Sequence, residues 1–375
     1  MKRMVRLYGC FAGHSSAATV TAGWKRALEQ ADMLAGCCSG NEPADADMAG
    51  EGLEIGGEDA PVALVTDIRQ LAIANYFPHK ERAVVLALHT RWVPETISNL
   101  LQETKSYVLS PSVSSIRCLH DAGLFDLFGS SAVVPHGVAP EFAPLSKKER
   151  SDLRLSDLYH KQLRGPGTTF LHMVESSSDR KGTWHLLEAF RQLIADGCDI
   201  SLTIVASGYE RMGMHRKVAE TPELAGRVRV LPRMNAKPSM LRWVYACFDA
   251  VIQPSRAEGF GLCPLEALCV GTPVLITTDC GHAQWCFESL SHRFDGQPIE
   301  GVVPIKLGPA ALAAFDPAEA PTITAEAIIE GVHAFLERSD YWKDMAAAHA
   351  ASLREKWQWS VVTRPWLAGV ERRYE

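Results

Sequence analysis

The sequence contains no apolar segment long enough to cross a membrane. A membrane-spanning helix needs about 18 or more consecutive apolar residues, and no run in the 375 residues approaches that length. The stretch MKRMVRLYGCFAG carries a basic pair before a short apolar run that soon turns polar, which is unlike a secretory signal peptide. We therefore expect a cytoplasmic protein without integral membrane contact.

Motifs for metal binding, nucleotide hydrolysis and hydride transfer are also missing. The ten cysteines include no C-x-x-C pair and no His/Cys set at zinc spacing, so we expect reduced thiols. No G-x-x-x-x-G-K-[ST] motif is present, and no G-x-G-x-x-G follows the first predicted strand, which argues against an ATPase and a dinucleotide-dependent dehydrogenase. Asp45 and Asp47 form a D-x-D in an acidic, glycine-rich loop rather than at a strand end, so we predict no metal site.

Charge of one sign is not in large excess. The chain has 38 Lys and Arg against 44 Asp and Glu, a formal net charge of −6. Bulk charge therefore does not indicate a basic nucleic-acid or membrane module, although it does not exclude a local basic groove.

Strand-like and helix-like segments alternate along the chain. In the second half, the strands predicted from apolar runs are FLHMVE, ISLTIVAS, RVRVLP, AVIQPS and VLITT, with helices between them. In the first half the pattern is weaker, with MVRLYGCF, a long helix from about Ala17 to Leu34, ALVT, AVVLAL and YVLS. Such alternation is typical of doubly wound parallel sheets.

The length suits two domains of comparable size. The polar stretch over 147–167 separates the two alternating halves. We therefore predict an α/β protein with two Rossmann-like domains, 1–146 and 168–359, that face a central cleft, with a linker over 147–167.

The stretch AEGFGLCPLEALCVGTPVL places two acids around a glycine turn. Glu258 follows the strand AVIQPS, at the sheet edge where open α/β sheets bind ligands, and Glu266 lies in a short helix predicted over about Cys263 to Val270. Carboxylates accept hydrogen bonds from vicinal hydroxyls, and a helix start favours phosphate, so the pattern fits a nucleotide-sugar. On spacing alone, Glu258 is equally well a solvated loop acid and Glu266 an acid that complements the helix dipole.

Several ordered motifs resemble one enzyme family. EGFGLCPLE resembles the E-x7-E signature of retaining GT-B glycosyltransferases, specifically glycosyltransferase family four. The segments YVLSPSVSSI, VVPHGVAPEF, DRKGTWHLLEAF and GTPVLITTDCG extend the resemblance over most of residues 107–290. It implies a GT-B fold whose last helix, about 360–375, packs back on the first domain.

The resemblance also implies roles for particular residues. Glu266 would form hydrogen bonds with the ribose, and Glu258 would form them with the transferred sugar. The other donor-binding positions would be Gly259, Phe260, Gly261 and Leu262. Lys181 and Arg180 would stabilise the diphosphate without a metal, although the family often places its arginine where this chain has Ser176. The leaving phosphate oxygen would take the acceptor proton on one face of the sugar, rather than Glu258 acting as a nucleophile.

Three residues of the first half are further candidates. His89 matches a family histidine that contacts the donor sugar or acceptor, and His14 and Ser15 lie in a strand-helix loop that faces the crevice in GT-B folds. The alternative for each histidine is a purely structural role, which is the commoner case for a histidine at the end of a strand. His282 and Gln284 depart from the family, which usually has a second glycine and a glutamate near these positions, so specificity is expected to differ there.

The donor implied by the resemblance is UDP-glucose, used without a cofactor. The segment from CPLEALCVG to GVVPIKLGP resembles bacteriophage members, some of which glycosylate hydroxymethylated bases, so one hypothesis is a 5-hydroxymethylpyrimidine acceptor flipped out of double-stranded DNA. The candidate phosphate contacts for such DNA are Lys80, Arg82, Arg91, Trp92 and Lys105. A small-molecule or polysaccharide acceptor is an alternative, and a non-catalytic nucleotide-sugar-binding module is an alternative of another class.

Overall fold

The structure is a computed structural model that describes residues 4–11, 16–38, 57, 59–66, 68, 71–74, 77–87, 95–121, 131–155, 163–174, 179–234, 236–278, 280–287, 298–306 and 322–374. The chain divides into two compact units, Met1–Ala139 with Lys356–Glu375, and Pro140–Glu355. Among the helices of these ranges, none combines the length and apolar character that a membrane crossing requires.

The first unit is built on a six-stranded parallel sheet. Its strands are β1 (Val5–Tyr8), β2 (Leu34–Cys38), β3 (Val62–Val65), β4 (Glu81–Val85), β5 (Tyr107–Ser110) and β6 (Ser131–Val133), in the order β2-β1-β3-β4-β5-β6. Its first four helices are α1 (Ser16–Gln30), α2 (Leu71–Ala74), α3 (Glu95–Thr104) and α4 (Val113–Asp121). β1 and β3 are buried along their whole length, as expected for central parallel strands.

The prediction of one long helix from Ala17 to Leu34 is wrong at its end. The helix stops at Gln30, and Leu34 begins β2, which pairs with β1 in parallel. Asp32 adopts a φ of 55°, a left-handed conformation that no helix can continue through. The strand LAGCC has small residues in place of β-branched ones, so its sequence carries a weak strand signal.

The segment predicted as a linker contains a helix of the second unit. Helix α5 (Lys147–Leu155) starts with a capping box in which Ser146 and Glu149 each accept a hydrogen bond from the other's backbone N–H. Arg242 donates to the Ala143 carbonyl at 2.5 Å and to the Glu149 carboxylate at 3.0 Å. These bonds hold residues 143–149 on the second unit.

The second unit has its own six-stranded parallel sheet. Its strands are β7 (Thr168–Met173), β8 (Ile200–Ala206), β9 (Val228–Pro232), β10 (Ala250–Gln253), β11 (Val274–Thr277) and β12 (Val302–Ile305), in the order β12-β11-β10-β7-β8-β9. The five strands predicted in this half are confirmed, whereas β12 was not predicted. Successive strands run outward from β7 to β9 and then return to the other side of β7 at β10. The order of the strands therefore reverses between β7 and β10, which is a topological switch point.

Helices surround this sheet. They are α6 (Thr183–Ala195), α7 (Gly208–Ala219), α8 (Pro238–Ala246), α9 (Leu262–Val270), α10 (Ala283–Cys286), α11 (Ala325–Glu337) and α12 (Ser339–Lys356). The core formed by β7, β8, α6 and α11 includes Phe170, whose ring packs edge-on against Phe190 and Phe335 at centroid distances of 5.5 Å. The prediction of a short helix ending before Gly271 is confirmed, because Gly271 adopts a φ of 89° and its N–H caps the Leu268 carbonyl.

The C-terminal segment belongs to the first unit. It forms α13 (Trp359–Val362) and α14 (Arg364–Tyr374) rather than one continuous helix. Trp24 of α1 packs against Trp359 and Trp366 at centroid distances of 6.3 and 5.4 Å. This aromatic cluster anchors the end of the chain to α1.

Candidate functional site

Three loops meet at the carboxyl edge of the second sheet, where the strand order reverses. They follow β7, β10 and β11, and they are joined by backbone hydrogen bonds. The Arg256 N–H donates to the Arg180 carbonyl at 2.8 Å, and the Gly281 N–H donates to the Glu258 carbonyl at 2.8 Å. The backbones of the three loops are therefore joined at this edge.

The Glu258 carboxylate lies between two cations from the loop after β7. Lys181 Nζ bonds to Glu258 Oε2, and Arg180 Nη1 lies 3.4 Å from the same oxygen while donating to the Ala257 carbonyl at 2.8 Å. Burial alone would raise the pKa of Glu258, but the charges of Lys181 and Arg180 outweigh burial and hold that pKa well below its ordinary value. Glu258 is therefore ionised at neutral pH.

Glu266 has a different environment, although it lies on the helix that starts directly after the glycine turn. Its side chain is buried, and the Tyr245 hydroxyl donates to Oε2 at 2.8 Å. Burial raises the pKa of Glu266 to about 7, and the Tyr245 hydrogen bond opposes that rise only in part. The glycine turn thus separates an acid that is ionised at neutral pH, Glu258, from one that titrates near neutrality, Glu266.

The raised pKa of Glu266 predicts a pH-dependent stability. The folded chain keeps a proton that the unfolded chain releases, so the free energy of unfolding falls as pH rises between about 4.5 and about 7. Where the difference in protonation is largest, the free energy of unfolding falls by about 1.4 kcal/mol per pH unit. Glu266→Gln removes this titration. In urea unfolding, we therefore expect the free energy of unfolding of E266Q, relative to that of the wild type, to increase with pH across that range and to become constant above it.

Glu188→Gln is the matched control for this measurement. Arg191 and Gln192 lower the pKa of Glu188 from 4.5 to about 2, so the folded and unfolded chains differ in Glu188 protonation only below about pH 5.5. E188Q should therefore differ from the wild type by a constant amount between about pH 5.5 and 7, the range in which E266Q still changes. A constant difference for E266Q as well would contradict a raised Glu266 pKa.

The glycine turn between the two acids is closely packed against the loop after β11. The Trp285 indole N–H donates to the Phe260 carbonyl at 2.8 Å, and this bond ties the turn to α10. A Cβ added to Gly281 would lie 2.3 Å from the carbonyl carbon of Gly259 and 2.4 Å from the Glu258 oxygen. Position 281 therefore accepts only glycine while these loops keep their contact.

Gly281→Ala should separate the two loops and destabilise the protein. We expect a loss of about 1–3 kcal/mol in the free energy of unfolding, because the added methyl meets backbone that cannot move aside cheaply. Gly213→Ala is the control, since a Cβ there meets its nearest neighbour, the Trp184 ring, at 3.4 Å. Alanine in that helix should be neutral or stabilising by up to about 1 kcal/mol. Equal effects in urea unfolding would contradict the tight packing at Gly281.

The structure brings together part of the predicted site. Glu258, Lys181 and Arg180 are in contact, and Gly259, Phe260, Gly261 and Leu262 lead from Glu258 into α9. Other predicted residues lie outside the described residues, namely His14, Ser15, Asp45, Asp47, His89, Arg91, Trp92 and Ser176. In the first unit, Arg82 donates to the Phe77 carbonyl at 3.1 Å and Lys80 lies over the Tyr374 ring.

Two buried residues at this edge were not predicted as site residues. Tyr245 lies on α8, where the sequence shows only an aromatic position in an amphipathic pattern, so nothing indicated its bond to Glu266. His172 on β7 links β10 to α6, with one ring nitrogen 2.9 Å from the Ile252 carbonyl and the other 2.8 Å from the Thr183 hydroxyl. Burial lowers the pKa of His172 to about 4, so it is a neutral brace at neutral pH.

Within the described ranges, no three His, Cys, Asp or Glu side chains are placed together as metal ligands would be. The charged groups nearest the glycine turn are instead the cations Lys181 and Arg180 and the acids Glu258 and Glu266, with a further ion pair between Arg256 and Asp179 in the same loops. Such a set can stabilise a diphosphate and accept hydrogen bonds from sugar hydroxyls.

The family follows from a match over most of the second unit. A family model described as family 4 glycosyltransferase in conflict systems matches residues 151–365, which is more than half of the chain. The chain belongs to this family. The matched residues include all of the second sheet and the acids and cations at its edge, so the sequence resemblance to glycosyltransferase family four is confirmed.

Curated relatives of this family-4 glycosyltransferase share shorter segments with it. A D-inositol 3-phosphate glycosyltransferase of Pseudarthrobacter chlorophenolicus is 37% identical over 141 residues, covering 36% of this chain and 32% of the relative. An enzyme of the same name from Corynebacterium urealyticum is 36% identical over 104 residues, covering 26% of this chain and 24% of the relative. The matches thus span a third or less of the relatives' length.

Solved structures match over nearly the whole chain. HepE from Anabaena, in complex with UDP-glucose, has a TM-score of 0.64 at 16% identity and covers 98% of this chain and 100% of its own. Sucrose-phosphate synthase from Thermosynechococcus elongatus has a TM-score of 0.65 at 16% identity, with 99% of each chain covered. At this identity the likeness concerns the fold, and it confirms the predicted α/β GT-B architecture with two parallel sheets.

Proposed function

We propose that this family-4 glycosyltransferase transfers a hexose, glucose in the first instance, from a UDP-sugar to an acceptor hydroxyl with retention of configuration and without a metal. The observation that carries the proposal is the joining of Glu258 to Lys181 and Arg180 at the carboxyl edge of the sheet, at the start of the helix that holds Glu266. The UDP-glucose bound by HepE is consistent with this donor. Action in the cytoplasm is part of the same proposal.

The two cations are proposed to stabilise the leaving group. As the bond between the sugar and the β-phosphate breaks, negative charge grows on the phosphate oxygens, and fixed positive groups lower the energy of that state. Lys181 and Arg180 come from a loop that backbone bonds hold beside the glycine turn, so their positions need little adjustment. The proton of the acceptor hydroxyl would pass to the departing phosphate oxygen, and no protein nucleophile is invoked.

The two acids are proposed to hold the two sugars of the donor. Glu258, which is ionised, would accept hydrogen bonds from hydroxyls of the hexose, and Glu266 would accept from the ribose. We expect Glu258→Ala to act mainly on kcat and Glu266→Ala mainly on donor affinity. Equal and negligible effects of both substitutions would reject this division of roles.

Three classes of acceptor are consistent with the proposed reaction. The relatives from Pseudarthrobacter and Corynebacterium are named for acting on an inositol phosphate, which supports a small hydroxylated acceptor. None of the proteins named above is named for acting on DNA, so hydroxymethylpyrimidine DNA remains a hypothesis carried by the sequence resemblance alone. A polysaccharide is the third class of acceptor to be tested.

The proposed activity is tested by incubating the full chain with isotopically labelled UDP-sugars and a panel of acceptors. The panel contains inositol phosphates, simple glycosides, oligosaccharides and hydroxymethylcytosine DNA, and products are identified by mass spectrometry with and without EDTA. NMR of the product gives the configuration at the anomeric carbon. We expect transfer or, without acceptor, slow hydrolysis of UDP-glucose, unaffected by EDTA and with the α configuration retained.

Other outcomes separate this proposal from its alternatives. Tight binding of UDP-sugars with no transfer or hydrolysis for any donor would support a non-catalytic binding module instead. Loss of activity with EDTA, restored by a divalent cation, would reject the metal-independent part. An inverted anomeric configuration would reject retention.

A further inference from the structure

The imidazole of His282 is fully buried beside the glycine turn. Nδ1 lies 2.8 Å from the Thr277 carbonyl oxygen, whereas Nε2 has no hydrogen-bond partner among the residues that the structure describes. Most buried polar atoms in proteins are paired, and leaving one unpaired is costly. A buried unpaired nitrogen at a sheet edge that binds ligands therefore points to a ligand atom.

The hydrogen bond made by Nδ1 determines which kind of group can pair with Nε2. A carbonyl oxygen only accepts, so Nδ1 carries a proton and donates it to Thr277. Burial lowers the pKa of His282 to about 4, and the nearby Glu258 charge opposes this only in part, so the ring is neutral at neutral pH. Nε2 then presents a lone pair, and its missing partner must be an O–H or N–H donor.

The ring edge that carries Nε2 lies against the turn next to Glu258. A Cβ added to Gly261 would fall 2.1 Å from His282 Cδ2 and 2.5 Å from Nε2, so only glycine at position 261 leaves room for this ring. The residue before His282, Gly281, donates its N–H to the Glu258 carbonyl. The loop that carries His282 is thus hydrogen-bonded to the loop that carries the Glu258 carboxylate.

The chemistry of a nucleotide-sugar narrows the identity of the partner. The diphosphate is deprotonated at neutral pH and offers only acceptors, so it cannot satisfy Nε2. In a nucleotide-sugar, the diphosphate separates the base and ribose from the hexose. Because Glu258 and the glycine turn are the proposed contacts of the hexose, the base and ribose are too far away to reach Nε2. The hexose is also the part of the donor richest in hydroxyl groups, each of which can donate one hydrogen bond.

We propose that His282 is a specificity-determining residue whose Nε2 accepts a hydrogen bond from one hydroxyl of the transferred hexose. This inference rests on the proposed function, because it requires a hexose donor at the glycine turn. His282 and Glu258 then form a pair of acceptors on neighbouring hydroxyls, one neutral and one charged. A donor that lacks the hydroxyl facing His282 leaves Nε2 buried and unpaired, so the site discriminates against it.

The test uses four UDP-glucose analogues in which fluorine replaces the hydroxyl at C2, C3, C4 or C6. Fluorine keeps nearly the size of a hydroxyl but cannot donate a hydrogen bond, so it removes only the interaction with an acceptor. Dissociation constants are measured by calorimetry, because fluorine also slows the chemical step through its inductive effect. For the wild type we expect one analogue to bind roughly tenfold more weakly than UDP-glucose because of His282.

Two variants assign that discrimination to Nε2. His282→Asn places its amide N–H near the position of Nδ1 and has no acceptor near Nε2, so it should bind the affected analogue and UDP-glucose with affinities within about twofold. His282→Gln reaches the position of Nε2 with an amide oxygen and should keep part of the discrimination. His215→Asn, on the exposed face of α7, is the matched control and should keep the wild-type pattern.

The results separate failure of this inference from failure of the proposed function. If the wild type binds UDP-glucose but discriminates against none of the four analogues, or if H282N keeps the wild-type discrimination at every position, the assignment of His282 is overturned. If the wild type binds no UDP-sugar at all, the proposed function fails and the assignment fails with it. The dissociation constants of the wild type for the four analogues can alone reject the assignment of His282. The assignment can therefore be rejected even if a variant folds poorly.

Discussion

Replacement of Lys181 by methionine is expected to lower kcat/KM for the UDP-sugar by roughly a thousandfold, the upper range for loss of one group that stabilises a developing anion. Methionine keeps the length and much of the apolar stem of lysine but removes its charge. The remaining cation, Arg180, lies 3.4 Å from Glu258 and also bonds the Ala257 carbonyl, so it is not placed to replace the lysine. Initial rates of UDP release at several donor concentrations measure the effect.

The same substitution should also destabilise the fold, and a second variant separates the two effects. Lys181→Met leaves the Glu258 carboxylate, whose side chain is 13% exposed, without its principal partner, and the cost has an upper limit of about 3–5 kcal/mol, the value for a fully buried pair. The double variant K181M/E258Q removes both charges, so we expect it to recover most of that stability in urea unfolding and none of the activity. Lys217→Met, on the exposed side of α7, is the control. Activity within threefold of the wild type for K181M would contradict the role of Lys181.

Replacement of Glu258 by glutamine is expected to lower kcat by about 100-fold with a smaller change in donor affinity. A hydrogen bond to a charged acceptor is worth about 1.5–3 kcal/mol, and the amide that replaces the carboxylate is neutral and has a single acceptor oxygen. The reduction should fall mainly on kcat, since the charge matters most when positive character develops on the sugar ring. Single-turnover rates at saturating donor separate the chemical step from binding.

The pH dependence of stability gives an independent check on Glu258. Its folded pKa lies below the ordinary value of 4.5, so its pairing stabilises the fold above that pH and the stabilisation is lost as pH falls. The difference in free energy of unfolding between the wild type and E258Q should therefore be largest at neutral pH and shrink below about pH 4.5. Glu188→Gln serves as the control for kcat, because Glu188 pairs with Arg191 on the outer surface of α6. A kcat of E258Q equal to that of E188Q would contradict the assignment.

The strands of the second sheet were predictable where their sequence is continuously apolar. β8 is buried at all seven of its residues, which is the pattern of a central parallel strand. β12 escaped prediction because it contains Pro304, which is exposed on a strand at the edge of the described sheet. Proline lowers the strand signal of a segment, and the sheet tolerates it because β12 pairs only with β11 among the strands that the structure describes.

The site was predictable only in part. The spacing of Glu258 and Glu266 around a glycine turn indicated two acids at one sheet edge, but Lys181 lies 77 residues away in sequence from Glu258, so only the family resemblance brought them together. Nothing in the local pattern showed that Tyr245 donates to Glu266. Side-chain partnerships between distant loops depend on the register of the whole sheet, which periodicity alone does not determine.

The most direct measurement is a crystal structure of the full chain with UDP-glucose bound. We expect the hexose to lie on the turn over 258–261, the diphosphate to lie beside Lys181, and the ribose hydroxyls to be within hydrogen-bond distance of Glu266. A donor bound elsewhere on the chain, with Lys181 still paired to Glu258 and Glu266 bonded to Tyr245 alone, would contradict it.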